Sequence, residues 1–160
     1  MIIRRYRESD TRQITTLFYE TIHEVNIRDY TQEQVDTWAP CEMDFARWVE
    51  SLKRKMTFVA DKDGLIVGFG ELEDSGHIDR FYCHKAYQGV GVGTKLLAAI
   101  EAEAKQRGIT RLFAEVSITA RPFFEKRGFK VSAEQVVTVR NVDFINYRME
   151  RTGESEVVGE

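Results

Sequence analysis

Hydropathy and turn patterning predict an α/β fold for this chain, with a mixed, mostly antiparallel central sheet flanked by helices. Three observations carry that expectation. Two β-rich runs, Thr57 to Ala60 and Leu65 to Leu72, flank Asp63-Gly64, a strong hairpin signal. Two more β-rich runs, Phe129 to Val139 and Phe144 to Met149, turn around Asn141. Between these pairs, Leu96, Leu97, Ile100 and Ala104 recur at helical spacing. The strand expected at Arg111 to Val116 is therefore reached by a crossover and should run parallel to its predecessor.

The remaining elements follow in order. Ile2 to Tyr6 reads as a strand, and Ser9 or Asp10 can cap a helix with Ile14, Leu17, Phe18, Ile22 and Val25 on one side. Thr31 and Gln34 match a capping box opening a short second helix, and Pro40 lies beyond its end. A third helix is expected from Met43 to Lys53, with Phe45, Trp48, Val49 and Leu52 apolar. After the hairpin, Asp74-Ser75-Gly76 turns the chain into a strand through His77 and Cys83. Gly108 ends the crossover helix, and Ala120 to Lys126 reads as a short helix before the last two strands.

With 160 residues, 42% hydrophobic and 31% charged, the chain reads as one domain over 1–151 with an ordinary buried core. The acidic stretch 152–160 lacks periodicity and is expected to be disordered. No apolar run approaches the ~20 residues that span a bilayer, so no membrane association is expected. The N-terminus also lacks the charged-then-apolar layout of a secretory signal. A net charge of −3, from 23 basic and 26 acidic residues, argues against a nucleic-acid partner. The run Lys53-Arg54-Lys55 sits at an expected helix end, where cations suit the dipole. Cys41 and Cys83 are far apart and match no metal-ligand spacing, so a metal-free protein in a reduced cytoplasmic setting is expected.

The chemistry-bearing stretch is Gln88-Gly89-Val90-Gly91-Val92-Gly93-Thr94, between the 77–83 strand and the crossover helix. Three alternate glycines at a helix start let bare backbone N–H groups converge on an anion, and the helix dipole adds attraction. Two familiar phosphate cradles do not fit. The phosphate-loop motif of nucleotide hydrolases needs Gly-Lys-Ser/Thr, whereas Gly93 is followed by Thr94-Lys95. The dinucleotide fingerprint would need glycine at position 94 or 96, where Thr94 and Leu96 stand.

What does fit is Gln-x-x-Gly-x-Gly, realised as Gln88, Gly91 and Gly93, which resembles the acyl-CoA pyrophosphate loop of the GNAT N-acetyltransferase superfamily. The run Phe81 to Gly89 resembles the strand and loop that enter this site. Ala120 to Phe129 is similar to the family's second motif, a short helix ending in Gly-Phe. Ile2 to Asp10 resembles its first strand and helix start, so the likeness covers roughly positions 1–150.

That resemblance implies an acetyltransferase using acetyl-CoA and an amine acceptor, either a small molecule or a peptide, by direct attack in a ternary complex. It leaves a homodimer open. The pantetheine arm would bond the main chain of Phe81 and Cys83, and the pyrophosphate would meet the amides of Gln88, Gly89, Val90, Gly91, Val92, Gly93 and Thr94. Relatives often carry arginine where this chain has Val90, so weaker coenzyme binding is expected. Many relatives also have Asn-x-x-Ala-x-x-x-Tyr, and the matching residues here are Ser117, Ala120 and Phe124. Phe124 cannot donate a proton, so solvent, the substrate itself or another residue, Tyr147 or Tyr82, would have to protonate the departing thiolate.

Attack needs a neutral amine, and at pH 7 only about one lysine-like amine in a few thousand is neutral. Asp79 and His77 lie two apart on one strand, hence on one face, and are the expected base or water-relay pair. Asn26 to Tyr30 and Trp38 fall where the acceptor should enter. Asp29, Tyr30 and Glu24 could receive a cation there. The reading from another functional class is a catalytically silent acyl-CoA-binding regulator, because the tyrosine at position 124 is missing.

Overall fold

The computed structural model describes residues 1–152. Its elements are β1 (Ile2–Arg5), α1 (Thr11–Glu24), α2 (Gln32–Trp38), α3 (Phe45–Arg54), β2 (Met56–Lys62), β3 (Leu65–Leu72), β4 (Ile78–Cys83), α4 (Val92–Gln106), β5 (Arg111–Ser117), α5 (Arg121–Lys126), β6 (Lys130–Val139) and β7 (Val142–Thr152). Two antiparallel sheets result, in the strand orders β1-β2-β3-β4 and β5-β7-β6. Among the described residues they meet at a single parallel bridge, His77 with Phe113, where the Phe113 amide donates to the Gly76 carbonyl at 3.1 Å. The parallel relation expected for β5 therefore holds at one point, after which β4 and β5 diverge.

The divergence has a local cause in β4. Leu72 pairs with Ile78 but Gly70 pairs with Phe81, so Asp79 and Arg80 both stand opposite the single residue Glu71. An extra residue of this kind is a bulge, which bends its strand and raises the local twist.

Strand alternation sorts the core into two halves. Met56, Phe58 and Ala60 pack under α4 with Leu96, Leu97 and Ile100. Val59, Ile66 and Phe69 face the other way, onto Ile14, Phe18 and Ile22 of α1 and Leu52 of α3. Helices thus cover both faces of the first sheet, as the periodicity of each segment requires.

Local signals fixed most boundaries. The α2 capping box forms, with Gln34 N donating to Thr31 Oγ1 at 3.1 Å and Thr31 N to Gln34 Oε1 at 2.8 Å. Helix α3 starts at Phe45, two residues later than expected, because the Asp44 side chain caps it by accepting from Arg47 N. Asp10 does not cap α1 by its side chain. Its carboxylate is buried and accepts two Arg4 hydrogen bonds at 2.9 Å, and the helix begins after it. Strand β7 extends through Thr152, which pairs with Arg111. The rest of the acidic stretch expected to be disordered lies outside the described residues. No helix among the described residues is long and apolar enough to cross a membrane.

Candidate active site

Where β4 and β5 part, a cavity of about 690 Å³ opens. Asp79, Phe81 and Cys83 line it from β4, and Ala114, Val116 and Ser117 from β5. Beyond the His77 bridge the edge of β4 that faces β5 has no strand partner among the described residues. Its main-chain groups are therefore free to bond an extended guest as an added strand would.

The glycine-rich loop forms one end of this cavity. Gly91 is the N-cap of α4 in the left-handed region (φ 93°), which only glycine adopts without strain, and no side chain caps the helix. The first amides of α4, on Val92, Gly93 and Thr94, have no intrahelical acceptors, and all three residues line the cavity. A β-carbon on Gly93 would stand 2.8 Å from the Phe123 ring, so glycine is what lets α5 close on α4. Gln88 and Gly89 also line the cavity. The Gln88 amide nitrogen donates to the Cys83 and His84 carbonyls (2.7 and 3.3 Å), which ties the loop to the end of β4. Val90 is 66% exposed and off the cavity wall.

At the start of α5, the Ser117 hydroxyl accepts from Ala120 N at 3.0 Å. Ala120 and Phe124 line the cavity as well, with Phe124 buried edge-on against Phe81, Phe123 and Phe129. Tyr147, expected as an acid, is instead covered by the Arg121 guanidinium 4.5 Å above its ring and does not line the cavity. Its place on β7, opposite Val116, turns the ring towards α5. Tyr82 does line the cavity, and burial pushes its hydroxyl pKa well above the ordinary value. Burial likewise pushes the Cys83 thiol up to about 11, so it is protonated at neutral pH.

Asp79 and His77 separate. The Asp79 carboxylate lines the cavity and pairs with the Lys55 ammonium. Burial raises its pKa, but Lys55 and Arg80 more than reverse this and leave it below the usual carboxylate range. His77 is off the cavity wall, with Nδ1 2.6 Å from Glu73 Oε1 and Nε2 2.6 Å from Glu115 Oε1. Both nitrogens are taken, so it is no relay for Asp79. Strand alternation fails to pair the two residues because β4 begins only at Ile78 and bulges at once.

Behind Asp79 lies a charge cluster that the sequence reading missed. Glu71 is fully buried and accepts from Arg80 Nε and Nη2 at 2.6 and 2.8 Å. Arg80 also donates to Ser51 and stacks 4.0 Å over Trp48, while Lys55 reaches both Glu71 and Asp79. These residues come from α3, the Lys55 link to β2, β3 and β4, and no local pattern links them. The alternating charge of Glu71, Asp79 and Arg80 inside β-rich runs was the available signal.

The far end of the cavity is aromatic. Trp38 meets Tyr30 edge-on at 5.2 Å and Phe144 at 6.1 Å, and all three line the wall. The Tyr30 hydroxyl accepts from Ile118 N at 3.0 Å and donates to the Ile145 carbonyl at 2.7 Å, which fastens the end of β5 to β7. Asp29, expected to receive a cation, instead accepts from Thr119 Oγ1 at 2.8 Å and is off the wall. Glu24 is likewise engaged, by Lys85 at 2.8 Å.

Comparison with known proteins agrees with this geometry. Residues 26–151 match the family described as Acetyltransferase (GNAT) domain. The N-acetyltransferase YafP of Escherichia coli (strain K12) is 32% identical over 149 residues, covering 92% of this chain and 93% of YafP. The crystal structure of a GCN5-related N-acetyltransferase from Rhodopseudomonas palustris superposes with a TM-score of 0.90 at 32% identity, covering 94% of both chains. The PaiA N-acetyltransferase of Thermoplasma acidophilum, solved in complex with coenzyme A, shares the fold with a TM-score of 0.78 at 21% identity over 94% of this chain and 98% of its own.

Proposed function

Since the chain belongs to the GNAT family and is an N-acetyltransferase, we propose that it takes the acetyl group from acetyl-CoA and that its acceptor is a primary amine on an apolar or aromatic body, attacked in the cavity between β4 and β5. The observation that carries this acceptor class is the far wall. Trp38, Tyr30, Phe144 and Tyr82 present aromatic surface, and Asp79 is a carboxylate lining the same cavity. A cationic amine is drawn to the carboxylate while its body displaces water from the rings.

The residues present fit coenzyme A. Its diphosphate suits the uncapped start of α4, where Gly91 leaves the amides bare, and its pantetheine arm suits the unpaired edge at Phe81 and Cys83. The bound coenzyme supplies an activated acetyl thioester. The chain supplies the rest. Main-chain N–H groups at the β4 bulge would hold the carbonyl oxygen as charge develops there.

Asp79 attracts the ammonium and takes its proton through water, and Lys55 keeps the carboxylate ionised while it does so. Ser117 shapes the turn into α5 at the cavity wall. The leaving thiolate, with an ordinary thiol pKa near 8.5, needs no strong acid, which removes the demand for a tyrosine at position 124. A reduced cytoplasmic setting suits two unpaired thiols, Cys41 and Cys83.

Thiol release from acetyl-CoA tests this with three acceptors: 2-phenylethylamine, spermidine and a peptide with a free N-terminus. The aromatic amine should give the highest kcat/KM, by about tenfold or more, on the scale of one buried apolar group. Turnover confined to spermidine or to the peptide would overturn the acceptor class.

A further inference from the structure

The seven residues Gln88 to Thr94 include no basic side chain, yet their expected ligand is a diphosphate. Two guanidinium groups line the cavity, those of Arg127 and Arg140. Arg140 sits in the β6–β7 hairpin and donates to the Thr37 carbonyl at 2.6 Å, on the acceptor side. Arg127 follows α5 and stacks 3.8 Å from the Phe123 ring centre. Its Nη1 closes the end of α5 on the Phe123 carbonyl at 2.9 Å, and its Nη2 reaches across to Thr94 Oγ1, in the first turn of α4, at 2.5 Å.

That placement is electrostatically incomplete. Among the described residues no carboxylate pairs with Arg127, whereas Arg80, Arg121 and Arg151 each have one. Its Nε is buried with no hydrogen-bond partner. A cation held against a helix N-terminus opposes the positive end of the helix dipole. An anion at the same spot reverses the sign of both interactions. We propose that Arg127 is a phosphate-binding residue, supplying from the second motif the positive charge that the Gln88–Thr94 loop lacks. The assignment rests on reading this cavity as the coenzyme site. It also alters the expectation drawn from Val90, because the cation is relocated rather than absent. Arginine suits the role through its planar fork of donors, which engages phosphate oxygens in pairs.

Calorimetric titration of the full-length protein tests the assignment with coenzyme A and with inorganic pyrophosphate. Arg127→Gln should weaken coenzyme A by about ten- to hundredfold, the worth of a charge-assisted hydrogen bond, and should abolish competition by pyrophosphate. Arg127→Lys should fall between, and Val90→Arg added to Arg127→Gln should recover most of the loss. The KM for S-acetylpantetheine, which carries no phosphate, should stay the same in all of them. Equal coenzyme affinity in wild type and Arg127→Gln, or an equal loss for both thioesters with a lowered melting temperature, would show a helix cap only and overturn the assignment. Should wild-type protein give no heat with coenzyme A, the reading of the cavity itself falls, and this assignment falls with it.

Discussion

The role proposed for Asp79 depends on the charges beside it. Lys55 and Arg80 hold its pKa below the ordinary carboxylate value near 3.9, so it is ionised across the working range. Its own titration should therefore leave no mark on the rate between pH 5 and 9, and log kcat/KM should climb with pH until the amine loses its proton. Asp79→Asn should lower kcat by about 10²-fold or more, the usual share of a positioned base. Lys55→Met is the more searching change. It removes the charge that outweighs desolvation, so the Asp79 pKa rises and an acidic limb should appear in the pH–rate profile of that variant. A flat profile for Lys55→Met would remove Lys55 from the mechanism. Gly91 provides a second test at this scale. Nothing lies within 4 Å of a β-carbon built on it, so a substitution there is penalised by its φ of 93° alone. Gly91→Val should cost about 1–2 kcal/mol of stability and weaken coenzyme A as the loop distorts, both measurable by thermal melts and calorimetry.

At the level of elements, His77 is the fastening between two sheets that otherwise separate. It belongs to the turn before β4, and its ring is held by Glu73 from that turn and by Glu115 of β5, with Phe113 alongside. Burial lowers its pKa, but the two carboxylates, with Asp79 nearby, raise it more, and the net shift is upward. Arg148 lies 3.6 Å from Glu115 and opposes this in part. Because folding raises the pKa, the charged ring stabilises the fold fully below the unfolded value near 6.5, and that contribution fades as pH rises through the raised value. Thermal melts of wild type and His77→Gln should therefore differ most near pH 6 and converge towards pH 9; a gap that widens with pH would refute the clamp. This residue also marks where the sequence stopped being readable. The α2 capping box, both hairpins and the glycine loop were legible because their signals lie within a few residues of one another. The clamp spans from Glu73 to Glu115 and the Asp79 cluster from Ser51 to Arg80, so they exist only once β-strands have paired. Arg127 was hidden for the same reason, being 33 residues from Thr94.

For the molecule as a whole, the consequence of the divergence of β4 and β5 is that the two sheets are joined by apolar packing and few main-chain bonds. The first sheet, with α1 and α3, and the second sheet, with α5, share α4 packing and the single His77–Phe113 bridge, while Tyr30 reaches from the α1 side to fasten β5 to β7. A ligand lying along β4 and β5 adds the cross-strand contacts that the fold omits, so binding and global stability should be strongly linked. At a hundredfold excess over Kd, a ligand that binds only the folded state contributes about 2.7 kcal/mol. For a domain of this size, that corresponds to a rise in Tm of about 5–10 °C. Acetyl-CoA should produce such a rise, and S-acetylpantetheine at the same concentration much less, since it lacks the groups that engage the α4 N-terminus. Hydrogen exchange should locate the effect: amides at 78–83 and 88–94 should slow first, and those of β5 with them. Tyr30→Phe removes the hydroxyl that links Ile118 and Ile145, leaving the Ile118 amide unpaired, at about 1–3 kcal/mol. In that variant the wedge should open more readily, so the ligand-free Tm should drop while the increment brought by acetyl-CoA persists. Loss of the increment along with the drop would mean that the two sheets hold together by a route other than the cavity.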